Sequence, residues 1–193
     1  IARIYAEDPV PSAPCPTATL VDDFDDNQRS SAWYHGWDEP ECPIQEVSGE
    51  LRISCEPGLG TDSAYVSSAA YDLTGSQVSV EIIDYPSAGS GGYMAIALVR
   101  PYFGDEYLFV INDGELQITR TINGSGTELT SASYDGDAAR FLRIREAAGI
   151  IFFEISADGS TFTSFYNEAT SIDVGELWVV LFAGMYMANA PVD

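Results

Sequence analysis

Residues 106–121 read Glu106-Tyr107-Leu108-Phe109-Val110-Ile111-Asn112-Asp113-Gly114-Glu115-Leu116-Gln117-Ile118-Thr119-Arg120-Thr121. Two runs rich in β-forming residues flank Asp113-Gly114, a pair that suits the positive φ values of a type I′ hairpin turn. Alternation puts Tyr107 and Phe109 on one face. Val110 and Ile111 before the turn meet Leu116 and Ile118 after it. The same pattern of short runs and turns recurs from Leu20 onward: Leu20–Phe24, Ile44–Val47, Leu51–Cys55, Ser63–Ser67, Gln77–Ile83, Tyr93–Val99, Glu128–Tyr134, Phe141–Arg145, Ile150–Ser156 and Leu177–Ala183. Ser48-Gly49 and Asp158-Gly159 are further type I′ candidates, the latter joining Phe153 and Ile155 to Phe162. Residues 137–148 are rich in helix formers. Phe141–Arg145 is still read as a strand, because Gly149 and a β-rich run follow it. The expected fold is an all-β, two-sheet antiparallel sandwich.

The 193 residues suffice for one well-cored domain, and 46% of them are hydrophobic. Thirty Asp and Glu stand against eight cations, all Arg, for a net charge of −22. Such a surface repels phosphate backbones and anionic lipid, which excludes nucleic acid as a partner. No run approaches the ~20 apolar residues of a membrane span, so no membrane insertion is expected. The chain begins at Ile1 without a basic segment and apolar run, and reads as a processed form or a fragment.

With Ser48-Gly49 as a two-residue turn closed by Val47 and Glu50, Glu46 faces Leu51, Ile44 faces Ile53 and Cys42 faces Cys55. The cysteines fall at a non-hydrogen-bonded position, where Cα atoms approach to ~4.5 Å, within disulfide reach. A Cys42–Cys55 disulfide is expected, and with it an oxidising, secreted or extracellular setting. Cys15 is left over: free, bonded between chains, or a rival partner for either cysteine.

Residues 1–19 read as an extended arm with prolines at 9, 11, 14 and 16. Residues 20–187 form the sandwich domain and 188–193 a tail.

Several segments together resemble a bacterial branch of the concanavalin A-like lectin/glucanase jelly-roll superfamily. They are Asp22-Asp23-Phe24-Asp25-Asp26-Asn27 with Trp33 soon after it, Gly49-Glu50-Leu51-Arg52-Ile53, and Tyr71-Asp72-Leu73-Thr74-Gly75-Ser76. Further on come Arg140–Glu146, the hairpin Phe153–Phe162, and Leu181-Phe182-Ala183-Gly184. The resemblance implies two stacked sheets with glycans bound on the concave face or its rim, and in several members a structural calcium. Related domains, found in secreted bacterial and phage tail proteins, commonly close with one more strand after the Ala-Gly segment. Here that segment is followed only by residues 185–193. A vacant slot would leave an unpaired edge. The arm could fill it, in its own domain or in a neighbour's, as in strand donation that builds fibres.

The glucanases of the superfamily need a Glu-x-Asp-x-x-Glu strand, which is absent, and Glu81 and Asp84 have the wrong spacing. His35 is the only histidine, there is no Lys, and no nucleophile elbow is present. No catalytic residues are assigned and no enzyme activity is expected. Asp22, Asp23, Asp25, Asp26 and Asn27 are the densest oxygen cluster. Alternation around Phe24, read as core, splits them between faces, so Asp25, Asp26 and Asn27 on the following loop are the calcium candidates, against the reading of a solvated acidic strand end. Sugar binding needs exposed aromatic faces beside polar groups. Trp33, Tyr34, His35 and Trp37 cluster in one loop, and Tyr102, Phe103 and Tyr107 sit by Gly104-Asp105. With Trp33 and Tyr107 read as core, the glycan candidates are Tyr34, Trp37, Tyr102 and Phe103. Trp178 reads as core. Arg143 and Arg145 share a face and pair with Glu154, and Asn123-Gly124-Ser125 fits a glycosylation sequon.

Two functions follow. One is a non-catalytic extracellular module for glycan binding or adhesion, its partner a polysaccharide or glycoconjugate. The other is a structural subunit of a filament, surface layer or phage tail, joined to copies of itself through residues 1–19.

Overall fold

The computed structural model describes residues 14–101 and 104–187. In chain order its strands are β1 Cys15–Pro16, β2 Trp33–Trp37, β3 Ile44–Glu46, β4 Leu51–Ile53, β5 Asp62–Ser67, β6 Tyr71–Asp72, β7 Gln77–Glu81 and β8 Gly92–Val99. These are followed by β9 Glu106–Asn112, β10 Glu115–Ile122, β11 Ser125–Ser133, β12 Phe141–Ala147, β13 Ile150–Ser156, β14 Thr163–Ala169 and β15 Trp178–Met185. The only helical element among the described residues is a 3-10 turn at Thr17–Thr19. The all-β sandwich read from the sequence is the fold of the chain.

A seven-stranded antiparallel sheet runs β11-β10-β9-β8-β15-β5-β2, and a four-stranded antiparallel sheet runs β14-β13-β12-β7. Their facing sides close the core. Tyr107, Phe109, Ile111 and Ile118 from the larger sheet are fully buried against Leu142, Ile144, Ile151 and Phe153 from the smaller. Phe153 meets Tyr107 and Phe109 edge-on at 5.8 and 5.7 Å between ring centroids, the geometry aromatic quadrupoles favour. The buried Tyr107 hydroxyl is satisfied by Ser171, whose backbone N–H donates to it at 2.9 Å. Burial pushes that phenol up from its ordinary pKa.

The turns follow the local chemistry. Ser48-Gly49 (φ 59°, 78°) and Asp113-Gly114 (φ 49°, 84°) place both central residues at positive φ, as type I′ requires. Asp158-Gly159 does not: only Gly159 is at positive φ. The Asp158 carboxylate instead accepts backbone N–H bonds from Ser160 and Thr161, which fixes a longer connection. The hairpin β3–β4 pairs Ile44 with Ile53 and Glu46 with Leu51. Ser54 and Glu56 N–H groups donate to the Pro43 and Glu41 carbonyls, so Cys42 and Cys55 occupy the non-hydrogen-bonded position between them. They form the disulfide, with Cα atoms 3.8 Å apart. Its sulfurs lie 3.7 Å from the Ala183 carbonyl oxygen, against β15.

Leu20–Phe24 is not a strand. Phe24 adopts φ 54° and only partly packs on the core. The cause is Asp22, whose carboxylate accepts from the Phe24 N–H at 2.9 Å, the Ser30 hydroxyl at 2.9 Å and the Trp33 indole N–H at 3.1 Å. Those bonds curl the chain where alternation would extend it. Upstream, Cys15–Pro16 pairs in parallel with β6, and the half-buried Cys15 thiol is free. Residues 1–13 and 188–193 lie outside the described residues.

Candidate functional site

The side of the seven-stranded sheet turned away from the core carries a second, smaller apolar cluster. Ala64, Val66, Ala97 and Val180 are buried there, with Val99, Leu108, Trp178 and Phe182 packed around them. The register explains it. Along β15, Val179, Leu181 and Ala183 pair with the core-facing Leu98, Ile96 and Met94, while Trp178, Val180 and Phe182 pair with Val99, Ala97 and Ala95 on the outer side. Trp178, read as core, therefore belongs to this outer face and is only half-buried.

Tyr34 and Trp37 join the same face. They lie not in a loop but on edge strand β2, where Tyr34 pairs with Val66 and Trp37 with Ala64. The pairing shifts between His35 and Trp37, so Gly36 is the extra residue of a bulge. A Cβ on Gly36 would run into Val66 Cγ2. The bulge turns Trp37 to the side of Tyr34, leaving Trp33 buried and His35 on the inner side stacked on Tyr65 at 5.1 Å. Tyr34 is 36% and Trp37 41% exposed.

From Trp37 an aromatic row crosses the sheet. Trp37 lies 6.4 Å from Phe182, Phe182 6.2 Å from Tyr93, and Tyr93 4.9 Å from Tyr186, between ring centroids. Gly184 makes room for it: an added Cβ would sit 2.5 Å from Tyr93 Cζ. Burial, with the Asp62 carboxylate beside its hydroxyl, pushes the Tyr93 phenol up to about 12. Beyond β8 the face turns polar. Paired residues of β9 and β10 place Asn112 with Glu115, Val110 with Gln117, Leu108 with Thr119 and Glu106 with Thr121. Thr121 donates to Glu106 at 3.0 Å, and Asn112 to Gln117 at 3.3 Å. Burial raises the Glu106 carboxyl, with the Thr121 bond opposing it. The outer face is thus aromatic at one end, hydrogen-bonding at the other, with carboxylates but, among the described residues, no strand arginine turned to it.

Tyr102 and Phe103 lie outside the described residues. Tyr93, which with Tyr85 flanks the Gly- and Ser-rich residues 87–92, was passed over for the four candidates above, and Phe182, Tyr186 and Asp62 were not singled out from the sequence. Continuing the outer-side alternation from Phe182 to Gly184 could have found them.

Asp25, Asp26 and Asn27, the calcium candidates, follow Phe24 on one exposed loop. Asp26 Oδ1 accepts from the Gln28 N–H at 2.9 Å, and Asn27 Oδ1 from the Ser48 N–H at 3.0 Å. The Asp25 carboxyl is raised, first by the charge of Asp23. Among the described residues no three His, Cys, Asp or Glu side chains are placed to hold a metal ion. Asp26 Oδ1 and Asn27 Oδ1 thus help to hold the loop.

No family model matches the sequence, and no curated protein matches it. Solved structures do. A Bacillus licheniformis beta-glucanase superposes with a TM-score of 0.61 at 13% identity, over 89% of this chain and 86% of that one. The fold is the concanavalin A-like jelly roll. The CBM2 module of the evolved Dit protein of Lactobacillus casei BL23 phage J-1 matches this jelly roll with a TM-score of 0.59 at 10% identity, covering 84% and 86% of the two chains. The exoplasmic/lumenal domain of VIP36, in a form bound to Ca2+ and Man2, matches with 0.58 at 13% identity, over 86% and 80%. Glycoside hydrolases and carbohydrate-binding proteins both share this architecture, and identities this low show the fold alone. Among the described residues no helix is long and apolar enough to cross a membrane.

Proposed function

We propose that this jelly roll is an extracellular, non-catalytic module that binds a neutral glycan across the outer face of its seven-stranded sheet. The aromatic row Trp37–Phe182–Tyr93–Tyr186 carries the reading. Aromatic faces stack on the C–H faces of pyranose rings, and the polar strands β9 and β10 offer partners for hydroxyls. The carboxylates beside the row disfavour anionic polymers. A non-catalytic role is supported by the distance of Asp62, the carboxylate beside the row, from Glu106 and Glu115. Asp62 pairs with Gly184, which pairs with Tyr93, which pairs with Asn112. Glu106 is six residues along β9 from Asn112, about 20 Å, and Glu115 is four strands from Asp62, about 19 Å. Glycosidases hold their pair within about 10 Å. The disulfide supports an oxidising compartment. The test is binding of neutral polysaccharides by affinity electrophoresis, with loss on Trp37→Ala, alongside a reducing-end assay that stays at background.

A second reading has its own observation. In the smaller sheet β7 ends the order, and β4 pairs only with β3 among the described residues. Between them opens a groove of about 1430 Å3 lined by Leu51, Ile53, Val78, Val80, Ile96 and Leu181 among others. Two unpaired edges over an apolar floor suit an added strand. We infer that the proline-free residues 1–8 of a neighbouring copy supply it, joining copies into a filament. Deleting residues 1–8 should turn the assemblies into monomers by light scattering, and a peptide of residues 1–8 should then bind those monomers. A monomeric full-length chain would refute this reading.

A further inference from the structure

Among the described residues, both open edges of the groove between β4 and β7 have a definite phase. The Ile82 N–H donates to the Arg140 carbonyl at 2.8 Å, and the Glu146 N–H to the Ser76 carbonyl at 3.0 Å. Ser76, Ile82 and, by alternation between them, Val78 and Val80 therefore use their backbone groups on β12. Gln77, Ser79 and Glu81 turn theirs to the open edge, with their side chains exposed on the outer side. Across the groove, Val47 and Glu50 exchange both backbone bonds, and the Ser54 N–H donates to the Pro43 carbonyl. Arg52 falls in the same phase opposite Gln45, so Leu51 and Ile53 turn their backbone groups to the open edge. Their side chains line the groove with Val78, Val80 and Ile82.

The two edges also run the same way. β7 leads to Pro86, which lies beside Gly92, the partner of Met185. β4 leads to Cys55, whose Sγ is 3.7 Å from the Ala183 carbonyl oxygen. Both strands therefore point to the same end of β15. One strand antiparallel to both would bond to β7 through its outward residues and to β4 through its inward ones. Residues 1–8, Ile1-Ala2-Arg3-Ile4-Tyr5-Ala6-Glu7-Asp8, alternate to match. Ala2, Ile4 and Ala6 bring no polar side-chain atom to the apolar floor, whereas the other set would bury Arg3 and Glu7. Setting Arg3 opposite Glu81 in antiparallel order puts Ile1 opposite the exposed Ile83, Tyr5 opposite Ser79 and Glu7 opposite Gln77. Parallel order about the same centre would set Glu7 against Glu81, like charges directly opposed. A shift of two residues either way separates Arg3 from Glu81.

We propose that the donated segment of a neighbouring copy enters the groove antiparallel to both β7 and β4, in the register that sets Arg3 on Glu81 and turns Ala2, Ile4 and Ala6 to the core. The inference rests on the strand-donation reading and adds its direction and register. The test uses the full-length chain with Cys15→Ser, under oxidising conditions. Glu7→Cys with Gln77→Cys places the new cysteines at a hydrogen-bonded antiparallel pair, about 5.5 Å between Cα atoms and within disulfide reach. That protein should cross-link into a ladder of multiples on a non-reducing gel, while Glu7→Cys with Glu81→Cys should not. Ile4→Asp should abolish assembly in light scattering, because it buries an unpaired carboxylate. Tyr5→Asp, on the outer side, should raise the dissociation concentration about fivefold at most. Arg3→Glu should raise it about 3- to 10-fold, and adding Glu81→Arg should recover most of that loss. Cross-linking through Glu81→Cys in place of Gln77→Cys would overturn the register and spare strand donation. A Glu7→Cys to Gln77→Cys bond closed within single chains would refute donation between copies. Assemblies that persist with neither bond, and with Ile4→Asp, would overturn the groove as the junction.

Discussion

Gly184→Ala probes the aromatic row through backbone space. Gly184 is not among the positive-φ residues, so alanine meets no conformational penalty there. Its Cβ would instead stand 2.5 Å from Tyr93 Cζ and 2.6 Å from Asp62 Cβ, well inside contact distance. Either the ring or strand β5 must move. Overpacking of this kind costs about 1–3 kcal/mol. For a chain of this size that is a fall in Tm of about 2–12 °C. Displacing Tyr93 also opens the row, so polysaccharide retention should weaken. Tyr93→Ala removes the obstructing ring but leaves Asp62 Cβ at 2.6 Å, so in that background Gly184→Ala should cost less without becoming free. Urea unfolding of the four proteins gives the coupling. A Gly184→Ala protein with the native Tm, or substitutions whose costs add within about 0.5 kcal/mol, would refute this account of the row.

On the far side of the smaller sheet, Glu154 is buried between two arginines, bonded to Arg143 at 2.6 Å and Arg145 at 3.1 Å. Glu154→Ala should destabilise by about 3 kcal/mol in urea unfolding, since two guanidinium groups lose their counter-charge. Burial pushes the Glu154 carboxyl up, but the two arginines outweigh it and hold it below its usual 4.5. A depressed folded value means that the stabilisation is full above about pH 4.5 and is lost as pH falls through the folded value; the Ala variant should lack that part of the acid dependence. Reducing the disulfide, whose cysteines are 13 residues apart, should cost about 3 kcal/mol, seen as a lower Tm with reductant than without it.

The fold was legible where one local rule acted alone. Asp113-Gly114 and Ser48-Gly49 forced their hairpins, and the register from Ser48-Gly49 was enough to pair Cys42 with Cys55. It failed where side chains compete with the backbone: Asp22 curls 20–24 through three hydrogen bonds, and Asp158 replaces a tight turn with an Asx-type loop. It also failed at β14, whose Thr163–Ala169 run is half-exposed and polar, and at β2, where the Gly36 bulge breaks period-two alternation. That bulge is why Tyr34 and Trp37, picked for their exposure, gave no hint of the face they share. The rest of the row needed the pairing of β15 with β5 and β8, which no local signal encodes.

The central claim is that glycan binds across the outer face. The direct measurement is titration calorimetry of a neutral polysaccharide, chosen by array, against the native protein, Trp37→Ala and Phe182→Ala, with folding checked by unfolding midpoint. Native binding, with each substitution weakening it by about tenfold, one stacking contact of roughly 1.4 kcal/mol, is the predicted result. Binding of equal strength in all three folded proteins, or no neutral glycan bound at all, would contradict it.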